Sequence, residues 1–143
     1  MRVFPFKFCL ATLPLLVFPV TGCDSDASQR VPVHGKVSYH GNPLSTGMVV
    51  FIPDPNRGAN GPLARAEVQQ DGSYDLQTDD CPGANPGWYR VTIVAVAADS
   101  PSHNRPFALP RSLIPEKYRD PELSGLVCEI RPGRENCINF NLE

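Results

Sequence analysis

Short runs in which hydrophobic and polar positions alternate make up most of the chain after residue 31. In the first run, Val33 and Val37 alternate with the polar residues His34 and Lys36, and a period of two is typical of a half-buried β-strand. The other runs of strand character cover residues 48–52, 65–70, 74–78, 88–97, 126–131 and 137–142. No segment has the pattern of a long helix, and only residues 115–118 indicate part of a helical turn. The pattern therefore predicts seven short strands.

Turn-forming residues separate the predicted strands. Asp-Gly at residues 71–72 and Pro-Gly-Arg-Glu at residues 132–135 each lie between two runs and predict hairpins. Residues 40–43, 56–62 and 79–87 are rich in Gly, Asn and Pro and predict turns or loops. Short antiparallel strands in this number predict an all-β fold, a seven-stranded two-sheet sandwich over residues 31–143. The predicted core consists of Val33, Val37, Val49, Phe51, Tyr74, Leu76, Tyr89, Val91, Ile93, Cys128, Ile130, Ile138, Phe140 and Leu142.

The first 22 residues have the composition of an export signal. Arg2 and Lys7 give it a positive start, and residues 8–20 form an apolar stretch that is too short to span a bilayer as a helix. The stretch ends in Val-Thr-Gly-Cys, which resembles the lipobox of bacterial lipoproteins. This resemblance implies that residues 1–22 are removed, that Cys23 is acylated and that residues 24–30 tether the domain to a membrane. The alternative is a plain secretory signal, with Cys23 in a disulfide.

Several motifs in the remainder of the chain resemble carboxypeptidase regulatory-like domains. They are VHGKV at 33–37, GNPL at 41–44, VVF at 49–51, DGSY at 71–74, PGWYRV at 86–91 and IPEKY at 114–118. Each motif alone is mostly turn chemistry, but their order is more specific, and together they cover about residues 32–142. The resemblance implies a transthyretin-like sandwich without catalysis of its own, in a version that occurs in short bacterial lipoproteins.

The cysteines suggest a disulfide in the exported chain. Once Cys23 carries lipid, Cys81, Cys128 and Cys137 remain, and an exported location permits a disulfide. If the strands alternate in direction, Cys81 and Cys137 lie at one end of the sandwich, whereas Cys128 points into the core. We therefore predict a Cys81–Cys137 disulfide with Cys128 free, although sequence does not determine connectivity.

Charge and motifs exclude several functions. The chain has 13 basic and 15 acidic residues, a net charge of −2, and so lacks the basic surplus of a nucleic-acid-binding protein. None of His34, His40 and His103 begins the H-x-x-E pair of a metallopeptidase, and no nucleophile elbow, P-loop or dinucleotide-binding motif is present. The sequence therefore predicts no catalytic residue, no metal site and no cofactor.

Trp88 is the only tryptophan and the one candidate for ligand contact. If Tyr89 and Val91 face the core, Trp88 faces outward, where it can stack on a sugar or mark an interface. The alternative is that its ring covers a neighbouring loop. Residues 98–125 are too long for a simple connection, and they predict a second contact surface.

These observations predict a lipid-anchored, non-enzymatic protein of the cell envelope, held at the cell membrane or outer membrane. Its sandwich would serve as a binding or structural module for an envelope protein. One alternative is a carbohydrate-binding module that uses Trp88. The other is an enzyme with an unfamiliar site in residues 98–125, where Glu116, Asp120 and Glu122 supply carboxylates.

Overall fold

A computed structural model describes residues 29–97 and 111–143, and they form an all-β fold of two sheets. The strands are β1 (Val33–Tyr39), β2 (Asn42–Pro43), β3 (Met48–Pro53), β4 (Ala64–Glu67), β5 (Ser73–Asp75), β6 (Gln77–Thr78), β7 (Cys81–Pro82), β8 (Gly87–Val94), β9 (Val127–Ile130), β10 (Asn136–Cys137) and β11 (Phe140–Leu142). Among the described residues, two 3-10 turns, Pro55–Arg57 and Glu116–Arg119, lie between these strands, and the second confirms the helical turn predicted near residues 115–118. In the described ranges, no helix is long and apolar enough to cross a bilayer.

β1 is the centre of the first sheet, which has five strands. It pairs in parallel with β10 and β11 on one side and antiparallel with β2 and β5 on the other. The second sheet has six antiparallel strands in the order β7-β6-β4-β3-β8-β9. The prediction of antiparallel strands is therefore confirmed for the second sheet and wrong for the pairs that β1 makes with β10 and β11.

Aromatic rings join the two sheets in the core. Phe51 of β3 lies with its ring centroid 6.3 Å from that of Tyr74 and 6.0 Å from that of Phe140, and both of these belong to the first sheet. Tyr89 of β8 is 5.9 Å from Phe51. All of the predicted core side chains are buried except Cys128 and Ile138, which are half-buried and pack against the core. The inward and outward positions of the strands thus follow the hydrophobic pattern.

Two predicted strands each divide into two shorter ones. The segment predicted at 74–78 changes sheets at Leu76, since β5 pairs with β1 whereas β6 pairs with β4. The segment predicted at 137–142 is interrupted at Ile138 and Asn139, between β10 and β11. The side chain of Asn139 accepts a hydrogen bond from the backbone amide of Lys36 at 2.8 Å. This bond gives the Lys36 amide of β1 a partner where the two strands are interrupted.

The connection at residues 132–135 is a crossing between sheets, and the prediction of a hairpin there is wrong. β9 pairs with β8 in the second sheet, whereas β10 pairs with β1 in the first. The buried side chain of Asn136 holds this connection, because its Nδ2 donates to the carbonyls of Arg131 (3.1 Å) and Arg134 (3.0 Å) and its Oδ1 accepts from the amide of Arg131 (2.9 Å).

The connections sort to two ends of the molecule, as strands of alternating direction predict. Loops 54–63, 79–86 and 131–135 lie at the end where β1 begins, which we call the N-terminal end, and Val31 bridges to Ala84 there. The Asp71–Gly72 turn lies at the other end, where the amide of Val37 donates to the carbonyl of Gly72. The short strands β2 and β7 arise within segments predicted as turns.

Candidate functional site

Trp88 lies on the outer face of the second sheet, as predicted. Its neighbour Tyr89 is 1% exposed and points into the core, whereas Trp88 is half-buried on the opposite face and pairs with Glu129 of β9. The guanidinium carbon of Arg57 lies 4.5 Å from the centre of the Trp88 ring. This is a cation–π arrangement, and it covers one face of the indole with a side chain of the 54–63 loop.

A buried carboxylate holds Arg57 in this position. Asp54 directly follows β3, and its side chain is only 4% exposed. Its carboxylate accepts a hydrogen bond from the amide of Asn56 at 3.1 Å and so caps the Pro55–Arg57 turn. The same carboxylate lies 3.6 Å from Nε of Arg57 and 3.3 Å from Nε of Arg90.

Arg90 joins the carboxylate to the segment after residue 111. Its guanidinium also forms an ion pair with Glu122, whose side chain is exposed. The hydrogen bond to Asp54 raises the pKa of Arg90 above its ordinary value, and the charges of Asp54 and Glu122 act in the same direction. We refer to Trp88, Asp54, Arg57, Arg90 and Glu122 together as the Trp88 cluster. It contains two cations and two anions, so its charges balance.

Two grooves flank the Trp88 cluster. One, of about 370 Å³, is lined by residues of the cluster, including Asp54, Arg57, Arg90 and Glu122. The other, of about 400 Å³, lies between Trp88 and the 131–135 loop, and its polar lining includes Glu129, Arg131, Arg134 and Asn136. The second groove places hydrogen-bonding groups beside an aromatic ring, an arrangement that suits a polar ligand with a stacking face.

The predicted contact segment, residues 98–125, is described only from residue 111. Ser112 bridges to Val96, and Ile114 and Tyr118 are buried in the core. The Tyr118 hydroxyl donates to the carbonyl of Glu143 at 3.1 Å and accepts from its amide at 3.0 Å. Residues 111–125 are therefore part of the packed fold, and residues 98–110 lie outside the described residues.

The three carboxylates that suggested an enzyme each have a structural partner. Glu116 forms an ion pair with Arg119 at 3.1 Å, and Glu122 pairs with Arg90. Asp120 accepts hydrogen bonds from the amides of Glu122 (2.7 Å) and Leu123 (3.3 Å). The segment therefore uses these carboxylates to fix its own turn and to hold it against β8.

The cysteines lie in three different settings, and Cys23 is outside the described residues. Cys81 is half-buried on β7 of the second sheet, whereas Cys137 is a free, exposed thiol on β10 of the first sheet. The disulfide between Cys81 and Cys137 stays a prediction. Cys128 is a half-buried free thiol, and burial raises its pKa to about 12. Cys128 therefore stays protonated at neutral pH, and its neutral thiol packs against the core like a small apolar side chain.

The remaining titratable candidates do not form a metal site among the described residues, where no group of three or more His, Cys, Asp or Glu side chains is arranged to hold an ion. His40 is exposed at the turn after β1. Nδ1 of His34 lies 3.3 Å from Oε1 of Glu135. His103 is outside the described residues.

Sequence reasoning identified Trp88 but missed the buried carboxylate beside it. Asp-Pro-Asn after a strand is a signal for a capped helical turn, and it would have given Asp54 its capping role. No local signal indicates that Arg90 and Glu122 meet, since 32 positions separate them in the chain. Comparison with known protein families, curated proteins and solved structures finds no match to this chain.

Proposed function

We propose that the protein is a lipid-anchored, non-enzymatic component of the bacterial cell envelope, and that its sandwich is a binding or structural module. The observation that carries the proposal is the Val-Thr-Gly-Cys sequence at the end of a short apolar leader. A cysteine thiolate is the nucleophile that accepts the lipid, and small residues before it give a protease access to the backbone. Two or three acyl chains suffice for a stable anchor in the cell membrane or outer membrane.

The position of the domain relative to Cys23 supports this anchor. Residues 24–30 are polar and small, and even when fully extended they span only about 25 Å. The anchor would therefore hold the N-terminal end of the sandwich near the lipid surface. The Asp71–Gly72 turn and Ser112, which bridges to Val96 beyond the end of β8, would face away from the membrane, toward other envelope components.

We also propose that the domain is transthyretin-like and belongs with carboxypeptidase regulatory-like domains. Support comes from the structural roles of the motif residues. Gly35, in the centre of VHGKV, lies against the carbonyl of Ile138, and Gly72 of DGSY has a left-handed φ of 81° in a tight turn. The motif sequence is thus explained by requirements of the fold.

A non-enzymatic role is supported by the way in which the candidate carboxylates are used. Glu116, Asp120 and Glu122 bind Arg119, backbone amides and Arg90, respectively. A general acid–base pair needs two carboxylates placed across a cleft around a substrate. Carboxylates that stabilise a turn are better explained by the fold.

The anchor is tested by mass spectrometry of the full chain expressed in a bacterium with its leader. The expected product begins at an acylated Cys23 and partitions into the detergent phase. Cys23→Ser should abolish both acylation and cleavage before residue 23. Cys9→Ser is the matched control, because Cys9 lies in the leader and its loss should change neither. A mature chain that begins elsewhere, with Cys23 unmodified, would contradict the proposal.

A carbohydrate ligand is the second candidate, favoured by the polar groove of about 400 Å³ beside Trp88. Arg57 already occupies one face of the indole, so a sugar would have to use the side toward the 131–135 loop. Binding of the full-length protein to a glycan panel tests this candidate. Loss of glycan binding in Trp88→Ala with retention in Trp88→Phe would support stacking. If Trp88→Ala still binds the glycan as well as Trp88→Phe does, stacking is excluded.

A further inference from the structure

The side chains of Cys137, His34 and Asp75 lie side by side on three neighbouring strands, on the outer face of the first sheet. The register of the strands places His34 of β1 opposite Cys137 of β10 on one side and opposite Asp75 of β5 on the other. Cys137 and Asp75 are exposed, and His34 is half-buried. Neighbouring strands lie about 4.8 Å apart, so the register places Cys137 beside His34, and both side chains line one groove.

The Glu135 carboxylate lies beside the imidazole of His34. Its Oε1 lies 3.3 Å from Nδ1 of His34, and it immediately precedes β10. When Nδ1 donates to this carboxylate, Nε2 is the nitrogen that carries a lone pair and can accept a proton. A nucleophile beside a base, with a third group that fixes the tautomer of the base, is the arrangement that activates thiols in proteins.

The thiol is accessible to a small molecule. A groove of about 290 Å³ is lined by Cys137 and His34, and its wall also contains Lys36, Ser73, Asp75 and Asn139. On its other side Cys137 borders the groove beside Trp88, which contains Arg131 and Arg134. The charged groups that line these two grooves are Lys36, Arg131 and Arg134 as cations and Asp75, Glu129 and Glu135 as anions, and His34, Tyr74 and Cys128 are the other titratable groups.

Cys128, in the same domain, differs from Cys137 because its thiol is half-buried instead of exposed. It is half-buried against the core, and burial raises its pKa to about 12, so its reactive thiolate form is scarce. An exposed thiol with a neighbouring base and a half-buried thiol that stays protonated should differ strongly in their rates of reaction.

We propose that Cys137 is a site of thiol–disulfide exchange with low-molecular-weight disulfides, in which His34 is the base and Glu135 positions the imidazole. The thiol proton moves to Nε2 of His34, and the Cys137 sulfur attacks one sulfur of the disulfide. A new bond between Cys137 and that sulfur forms, the old sulfur–sulfur bond breaks, and the leaving thiolate takes the proton. One disulfide is consumed and one thiol is released for each Cys137 modified, so this is a reversible modification and not turnover.

The inference goes beyond the proposed function and does not depend on the lipid anchor. It gives Cys137 a role other than the predicted disulfide with Cys81. An exported location exposes the thiol to disulfides, so the modification suits the proposed compartment.

The test uses the full-length mature protein, reduced, freed of reductant and then exposed to glutathione disulfide at pH 7. Intact mass spectrometry should find one added thiol per chain, and peptide mapping should place it on Cys137, at least about tenfold faster than on Cys128. A positioned base contributes to the rate of thiol modification, so His34→Gln should slow the modification of Cys137 about tenfold. Glu135→Gln should slow the same modification by a smaller factor. His40→Gln is the matched control, since His40 lies in the turn after β1, at the opposite end of that strand from the His34–Cys137 pair, and it should change the rate less than about twofold.

The pH dependence separates a base from a merely structural role. The gap between wild type and His34→Gln should be largest near pH 7 and close above about pH 9, where thiols ionise without help. A gap that persists at high pH would overturn the role of His34. Modification of Cys128 as fast as Cys137, or a map that shows Cys81 joined to Cys137 in place of the mixed disulfide, would overturn the site itself. Because lipidation of Cys23 is read from the same mass spectra, failure of the anchor and failure of the thiol site are distinguished.

Discussion

Replacement of Asp54 by Ala should destabilise the protein substantially. The Asp54 carboxylate is 4% exposed, caps the Pro55–Arg57 turn through the amide of Asn56 and lies within 3.6 Å of two guanidinium groups. Loss of a capping side chain costs about 1 kcal/mol. Loss of hydrogen bonds to charged groups costs about 1.5–3 kcal/mol, of which we take the lower part because Arg57 is half-exposed. The sum is about 3 kcal/mol for the free energy of unfolding.

Urea unfolding followed by far-UV circular dichroism measures this change. With an m-value of about 2 kcal/mol/M, a loss of 3 kcal/mol lowers the midpoint by about 1.5 M. Asp54→Asn keeps an acceptor for the Asn56 amide but removes the charge, so it should lie between wild type and Asp54→Ala. Glu116→Ala is the matched control, because Glu116 is 71% exposed in a surface ion pair with Arg119 and its loss should cost less than about 0.5 kcal/mol. If Asp54→Ala costs no more than Glu116→Ala, the carboxylate does not hold the Trp88 cluster together.

Three further predictions concern the fold around this site. Gly35→Ala should cost about 3 kcal/mol or more in urea unfolding, because an added Cβ would lie 1.7 Å from the carbonyl oxygen of Ile138; a stable variant would mean that β10 and β11 can move away from β1 without cost. Tyr118→Phe removes both hydrogen bonds to the backbone of Glu143 and should cost about 1 kcal/mol, with faster amide exchange at residue 143; unchanged exchange would contradict this. Burial raises the pKa of the Cys128 thiol from 9.0 to about 12, so between these pH values the unfolded chain has lost a proton that the folded chain keeps. Stability should therefore fall as pH rises above 9, by up to about 1.4 kcal/mol per unit, and Cys128→Val should flatten that slope in unfolding curves measured from pH 7 to 10, below the range in which Tyr74 and Tyr89, whose pKa values burial also raises, add to it.

The inward and outward positions of the strands could be predicted from the sequence because they depend on local alternation. In β8, Tyr89, Val91 and Ile93 are buried, and Trp88 lies on the other face, as the pattern indicated. A strand needs only its own residues to show which face is apolar. The side to which Trp88 points was therefore available from the sequence, whereas the cation above its ring was not, because Arg57 belongs to a different loop.

Strand pairing was less predictable because it depends on distant residues. The continuous run at 74–78 is one extended segment in the sequence, yet Tyr74 pairs with Gly35 in one sheet and Gln77 pairs with Arg65 in the other. The alternation is the same on both sides of the crossing, since Leu76 is buried between the sheets. Composition gives no signal at such a crossing, and the predicted strand number is therefore the part of the fold that differs most from the structure.

Gly35 connects the architecture of the first sheet with the chemistry proposed for Cys137. The carbonyl of Ile138 occupies the space that a side chain at residue 35 would need, so the interruption between β10 and β11 can lie directly against β1. The amide of Ile138 donates to the carbonyl of His34 at 2.8 Å and fixes the register at that point. A shift of one residue in this register would turn Cys137 to the opposite face of the sheet, away from His34. The glycine of the VHGKV motif is therefore a requirement of the fold, and the neighbouring thiol depends on it for its position beside a base.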